Sequence, residues 1–253
     1  MQVTVHAPAK INLTLDIVGV RADGYHLLES IFQAVSVYDT ITVKTKWGKR
    51  ITLVADGCDC PAEKNTAYKA AKVFFEATGI EGGVHLTLTK RIPQQAGMGG
   101  GSADAAGVLW ALNTLYETGL TTSTLHRMGA KIGADVPFCV VGGTVMVTGI
   151  GDGLDPTFAM PACHIVVAQP AEGISTKEAY AAVDNTVITR RPDNAAAIAA
   201  FSDGNKQLVV RKVRRVSGWN RASRAEQGDL DAIKIVAARK SENGLRETRF
   251  VGV

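Results

Sequence analysis

Cysteine is scarce in this chain and does not cluster. Of the four, Cys58 and Cys60 form one close pair, Cys139 and Cys163 stand alone, and no second pair or histidine group follows at zinc spacing. Neither a disulfide framework nor a metal site built by the protein is expected, and the thiols read as reduced. Long apolar runs are absent too: nothing approaches the ~18 residues that a membrane span requires. The opening MQVTVHAPAKINLTL alternates like a strand and lacks the basic-then-apolar shape of a secretory leader, so a cytoplasmic protein is the expectation. The chain also lacks both familiar phosphate-loop patterns. Its one glycine cluster, GMGGGSADAA, has Ser102 where a P-loop needs lysine, and it breaks G-x-G-x-x-G at Ser102 or Asp104.

What is present is an ordinary globular composition. Hydrophobic residues make up 46% and charged residues 21% of 253 positions, enough for one large or two modest domains with a sizeable core. Period-2 alternation in VTVHA and NLTLDIV predicts paired strands, with further strands in SIFQAVSVYDTITVKT, RITLVAD, VHLTLTKRI and HIVVAQP. RADGYH reads as a turn. NTAYKAAKVFFEATG has helical spacing and closes on Gly79, TTSTLHRMGAKIG carries a threonine cap, and ISTKEAYAAVD and NAAAIAAFSDG predict two more helices. ADVPFCVVGGTVMVTGIGDG is expected to return to strand. The mixture is α+β. A boundary is expected at Gly153 to Pro161, dividing the chain into 1–155 and 156–253.

The glycine cluster follows a predicted strand and opens a predicted helix whose stripe is Ala106, Leu109, Leu112, Leu115 and Tyr116. The first N–H groups of a helix have no partner within it, and the helix dipole adds partial positive charge there. Glycines let the backbone approach an anion closely, so several N–H donors acting together can hold a di- or triphosphate. Ser102 is expected to cap this helix and to offer its hydroxyl to a phosphate or a magnesium ion. Three other residues gain meaning beside the loop. Lys10 and Asn12 are two apart on a strand and share a face, with Ile11 and Leu13 on the other. Asp135 precedes Val136-Pro137, and the proline's bias against helix at Val136 predicts a turn ending a helix. Asn65 opens NTAYKAA as an N-cap.

Taken together, APAKINL, RADGYH, IPQQAGMGGGSADAA, GADVPF and GISTKEAY resemble the GHMP kinase superfamily, in order and spacing from Met1 to about Phe201. The resemblance implies two parts, a ribosomal-protein-like α/β N-terminal domain and a ferredoxin-like C-terminal one. It implies ATP as donor, with Mg2+ accompanying the nucleotide. DGYH soon after AKINL implies an acceptor hydroxyl on the methylerythritol part of a cytidine diphosphate derivative, in non-mevalonate isoprenoid synthesis. By similarity, Lys10 and Asp135 are catalytic. Asn65, Pro93, Gln95, Ala96, Gly97, Met98, Gly99, Gly100, Gly101, Ser102 and Ala103 fall on the ATP side. Asn12, Tyr25, His26, Thr176 and Tyr180 fall on the acceptor side, with Tyr25 and Tyr180 stacking on the cytosine ring and His26 bonding its polar edge. Another small alcohol such as homoserine remains open as acceptor, and so does a catalytically silent RNA-binding module. The oligomeric state is left open.

The superfamily's third motif, a glycine–serine loop in the C-terminal part, is missing after Gly204. From Lys206 onward there are 12 basic against 5 acidic residues, while the first 205 hold 16 against 19. A shifted reading frame after about residue 205 is the favoured explanation, leaving the C-terminal domain incomplete. A basic arm for nucleic acid is the alternative, weakened because only Trp219 and Phe250 supply aromatic rings there.

Overall fold

The computed structural model describes residues 1–57, 60–155, 159–168, 180–181, 183–185, 188, 191–202 and 234–238. Two long strands organise it, β1 (Gln2–Val20) and β2 (His26–Lys46), joined by the RADGY turn. They pair antiparallel along nearly their whole length, from Gln2 against Lys44 to Val20 against His26. VTVHA and NLTLDIV are thus halves of one strand rather than partners of each other; the alternation simply continues through the bulges around Pro8, Asn12 and Ile17.

The other edge of β2 is shared. Its C-terminal half pairs with β4 (Gly83–Thr89), which pairs in parallel with β3 (Ile51–Asp56). Its N-terminal half pairs with β5 (Thr144–Thr148), which pairs with β6 (Gly153–Asp155). A parallel pair needs a crossover. A short 3₁₀ turn (Ala62–Lys64) and α1 (Thr66–Thr78) supply it. Asn65 caps α1 by accepting the Ala67 N–H at 2.9 Å, and Gly79 ends it in the left-handed region, both as predicted.

Helix α2 (Gly100–Leu115) lies across the sheet and is mostly apolar, buried from Ala103 to Leu109 and again at Ala111, Leu112 and Leu115. A helix of that kind belongs inside. Leu109 and Leu112 meet Ile41, Val43, Leu86 and Leu88 of the sheet in one fully buried cluster. Truncating one such leucine to alanine costs about 2–5 kcal/mol. Helix α3 (Thr122–Ala130) starts on Thr121, whose hydroxyl accepts the Thr124 N–H at 3.3 Å.

Two expectations fail next. VPFCVV is helix α4 (Val136–Val141), not strand. Proline is tolerated in a first turn, where its missing N–H would be unpaired anyway. Asp135 therefore sits at the start of a short helix. Ser102 is not a cap either: Gly99 is, and Ser102 lies within the first turn.

Beyond the sheet, β7 (His164–Ala168) pairs with β8 (Lys234–Ala238), and α5 (Asn194–Ser202) buries Ala197, Ala200 and Phe201 in the same apolar cluster as α2. Thr176, most of ISTKEAYAAVD and nearly all of the chain after 202 lie outside the described residues.

Candidate active site

Lys10 is the residue around which the site is assembled. The bulge after Pro8 frees its N–H from the β1–β2 ladder, and that N–H instead donates to the carbonyl of Met98 in the glycine loop at 3.0 Å. Its side chain is 7% exposed. The ammonium donates to Asn12 Oδ1 at 2.7 Å, lies 4.5 Å from the centroid of the Phe32 ring, and stands 3.7 Å from Asp135 Oδ2. Phe32 is the cross-strand partner of Asn12, so Lys10, two residues along on the same face, reaches the ring diagonally. Asn12 is fixed in turn: its amide donates to Ser30 Oγ at 2.9 Å, and the Ser30 hydroxyl donates to the Thr14 carbonyl. Lys10 and Asn12 share a face as expected, the hydrogen bond between them is an addition, and Asp135 joins them from 125 positions beyond Lys10.

Asp135 arrives there through packing. Phe138 of α4 sits edge-on to Phe32, with centroids 5.2 Å apart. Helix α3 comes close behind because position 129 is glycine, where an added Cβ would lie 2.9 Å from Val136 Cγ1. The Asp135 side chain is one-third exposed, open enough to meet a substrate hydroxyl. Cys139, one turn on, is no nucleophile: burial above all, then the charge of Asp135, pushes its thiol up to about 12.

The glycine loop runs from Pro93 into α2. Gly99 takes the cap position with φ +68°, and a Cβ there would meet Lys10 Cγ at 3.1 Å, so glycine is required for conformation and for space. Ala96, Met98 and Ala103 are buried, and the Ala103 N–H donates to the Gly99 carbonyl at 2.8 Å, closing the first turn of α2. Asn65 and the loop are neighbours, because the Thr66 hydroxyl donates to the Gly101 carbonyl at 2.6 Å.

A buried ion-pair network unmarked by the motifs underlies this loop. Lys90 donates to Asp39 Oδ2 and, at 2.6 Å, to Asp104 Oδ2. Asp39 Oδ1 accepts the N–H groups of Arg91 at 2.5 Å and Ile92 at 2.8 Å. Burial pushes the Asp104 carboxyl up to about 7; the nearby ammonium of Lys90 opposes the shift, and the charge of Asp39 adds to it. Lys90 is itself raised: burial works against its charge, and the two carboxylates outweigh that.

His26 begins β2, with its ring stacked on Tyr180 at 4.6 Å between centroids and 16° between planes. Its Nε2 lies 2.6 Å from Asp184 Oδ1. Tyr25 stands apart at 61% exposure. The Tyr180 hydroxyl is raised by burial first and then by the charge of Asp135, which puts the stacked pair in electrostatic reach of the Lys10–Asp135 centre. Arg191 donates to Asp16 Oδ1 at 2.7 Å and to the Ile17 carbonyl at 2.8 Å, pinning its segment to β1. Motif reading missed Asp39, Lys90, Asp104, Thr66, Asp184 and Arg191. Lys90 and Asp104 flank the loop that drew attention, and their opposite charges were the available signal.

Known proteins resemble this chain in sequence and fold. The family described as GHMP kinases N terminal domain matches residues 65–143. A 4-diphosphocytidyl-2-C-methyl-D-erythritol kinase of Clostridium tetani (strain Massachusetts / E88) is 40% identical over 213 residues, 84% of this chain and 76% of that protein. The protein of that name from Carboxydothermus hydrogenoformans is 42% identical over 203 residues, 79% of this chain and 70% of its own. A crystal structure of a 4-(cytidine 5'-diphospho)-2C-methyl-D-erythritol kinase superposes with a TM-score of 0.66 at 36% identity, covering 80% of this chain and 72% of that one. A homoserine kinase from Cytophaga hutchinsonii ATCC 33406 shares the fold, at TM-score 0.59 and 22% identity over 84% of this chain and 71% of that one.

Proposed function

The chain belongs to the 4-diphosphocytidyl-2-C-methyl-D-erythritol kinases of the GHMP family, and from that premise we propose how its residues divide the work. The enzyme phosphorylates a hydroxyl of 4-diphosphocytidyl-2-C-methyl-D-erythritol with ATP, in the non-mevalonate route to isoprenoid precursors. Asp135 is the general base: its carboxylate takes the hydroxyl proton as that oxygen bonds to the γ-phosphorus and the bond to the ADP oxygen breaks. General-base help of this kind is worth about 10²–10⁴-fold. Lys10, held by Asn12 and Phe32, favours negative charge on both the base and the attacking oxygen. The observation that carries this assignment is the Lys10 ammonium 3.7 Å from Asp135 with its stem lying across Gly99 of the loop.

The ATP side consists of Asn65 and of Pro93, Gln95, Ala96, Gly97, Met98, Gly99, Gly100, Gly101, Ser102 and Ala103, with backbone N–H groups and the α2 dipole meeting the phosphates. ATP enters as its magnesium complex, the phosphates supplying ligands to an ion that normally binds through them. Among the described residues no group of three His, Cys, Asp or Glu side chains offers a separate metal site. Asn12, Tyr25, His26, Thr176 and Tyr180 take the acceptor, its cytosine between aromatic faces and its reacting hydroxyl toward Asp135.

The test is ADP release by the purified full-length chain. It is expected with the cytidine-linked alcohol and not with homoserine. Equal release with both would overturn the acceptor assignment, and turnover by Asp135→Asn within a few-fold of the parent would overturn the base.

A further inference from the structure

The network beneath the glycine loop does more than fill space. Lys90 follows the end of β4, and Asp39 holds the next two backbone N–H groups, those of Arg91 and Ile92, immediately before Pro93. Asp104 lies in the second turn of α2, just after the loop closes. One ammonium therefore clasps the entry of the loop to its exit, and the seven residues 93–99 between them are closed off at both ends. The clasp is also close to the loop itself: a Cβ added at Gly100 would lie 3.5 Å from Lys90 Nζ and 3.2 Å from Ile92 Cγ2.

Its charge does not balance. Two carboxylates face one ammonium, Asp39 is fully buried, and Asp104 is 2% exposed. Asp39 is well provided for, with two N–H donors and the ammonium. Asp104 is not: Oδ2 meets Lys90, while Oδ1 is buried with no hydrogen-bond partner among the described residues. An ionised carboxylate with an unpaired buried oxygen is costly, and a protonated one can place its proton there. The groups that face Asp104 are Lys90 after β4, Asp39 on β2 and, more distantly on α4, the neutral thiol of Cys139. None supplies a second positive charge. A triphosphate at the start of α2 would add further negative charge beside this excess.

We propose that Asp39, Lys90 and Asp104 are positioning residues for the nucleotide loop, and that Asp104 takes up a proton when ATP binds, so that a neutral clasp lies under the polyanion. This rests on the loop being the ATP site. Burial above all, opposed by Lys90 and aided by Asp39, already brings the Asp104 carboxyl up to about 7, so uptake on binding falls in an accessible pH range.

The experiment is calorimetric titration of the full-length chain with magnesium ATP at pH 8, in two buffers of different ionisation enthalpy. The parent is expected to take up about one proton more per bound nucleotide than Asp104→Asn, whose amide keeps an acceptor for Lys90 and carries no titrating proton. Any protons moved by the nucleotide itself cancel in that difference. Parent affinity should weaken at least about threefold relative to the variant between pH 7 and 8.5, and the variant should bind at least as tightly as the parent at the upper end. ATP binding with equal proton counts in both proteins would overturn the proposal while leaving the loop assignment standing. No ATP binding by the parent would overturn both. Lys90→Met provides an independent check: leaving two carboxylates without their cation should raise the ATP KM by about tenfold or more while the acceptor KM changes less than about threefold. Equal changes in both would mean a merely structural role.

Discussion

Beneath the glycine loop the charged side chains of Asp39, Lys90 and Asp104 are buried against one another, and Lys90 and Asp104, 14 positions apart, are almost fully enclosed. On the acceptor side His26 reaches across 158 positions to Asp184, which is half exposed, and Arg191 reaches across 175 to Asp16 while half exposed itself. On the proposed division of the site, the nucleotide half is thus fixed by the core. The acceptor half is gathered by contacts that water can compete for. Rigid phosphate placement and a more adaptable hold on the acceptor suit a kinase in which positioning and charge stabilisation do most of the catalysis.

Only the reacting centre should sever the two halves completely. Asp135→Asn is expected to lower kcat by about 10²–10⁴-fold, with ATP affinity within about twofold when titrated directly. A parallel loss of ATP affinity would mean that the residue belongs to the nucleotide half. Next in size, Tyr180→Ala removes a stacking face worth about 1–3 kcal/mol, so the acceptor KM should rise roughly 5–150-fold while the ATP KM holds. Steady-state kinetics in both substrates would detect the opposite split.

Gly99→Ala tests the seam between the halves. A left-handed alanine costs about 1–2 kcal/mol before its Cβ meets Lys10, so both KM values should worsen by about tenfold; a change in one alone would break the claim that Lys10 and the loop are coupled.

Stability effects are smaller. The Asp104 carboxyl, raised from 3.8 to about 7 on folding, lets the folded chain hold a proton that the unfolded chain has lost between those values. The contribution of this group to stability should therefore fall as pH rises from about 4 to about 7 and level off above. Asp104→Asn should flatten that part of a Tm–pH profile, and matching profiles would remove the raised carboxyl from the account. Smallest of all, Arg191→Ala breaks a half-exposed pair worth under about 1 kcal/mol, so Tm should drop by about 2–4 °C at most. A fall several times larger would mean that the acceptor half is as firmly built as its counterpart.

Much of the site was legible because its motifs are local. Lys10 and Asn12 share a face by strand periodicity, Asn65 and Gly79 are the ends of one helix, and the glycine loop follows a strand and opens a helix. VPFCVV misled, since a short apolar run reads equally as strand or buried helix and only the packing of Phe138 on Phe32 decides between them. Ser102 has the side chain of a cap, but the left-handed geometry of Gly99 sets the helix start. The clasp of Asp39, Lys90 and Asp104 left only a faint trace, the opposite charges of Lys90 and Asp104 on either side of the loop. Nothing in one lysine and two aspartates says that they will be buried together.

The hydrogen bond from the Lys10 backbone to Met98 has a practical consequence for anyone seeking inhibitors. A compound that wedges the loop away from its resting path pulls on the strand that carries the lysine. Occupancy of the nucleotide pocket would then be felt at the acceptor pocket, and two inhibitors aimed at separate pockets would not act independently. Their combined effect, measured as an interaction constant, reports how stiff that single peptide-to-peptide link is.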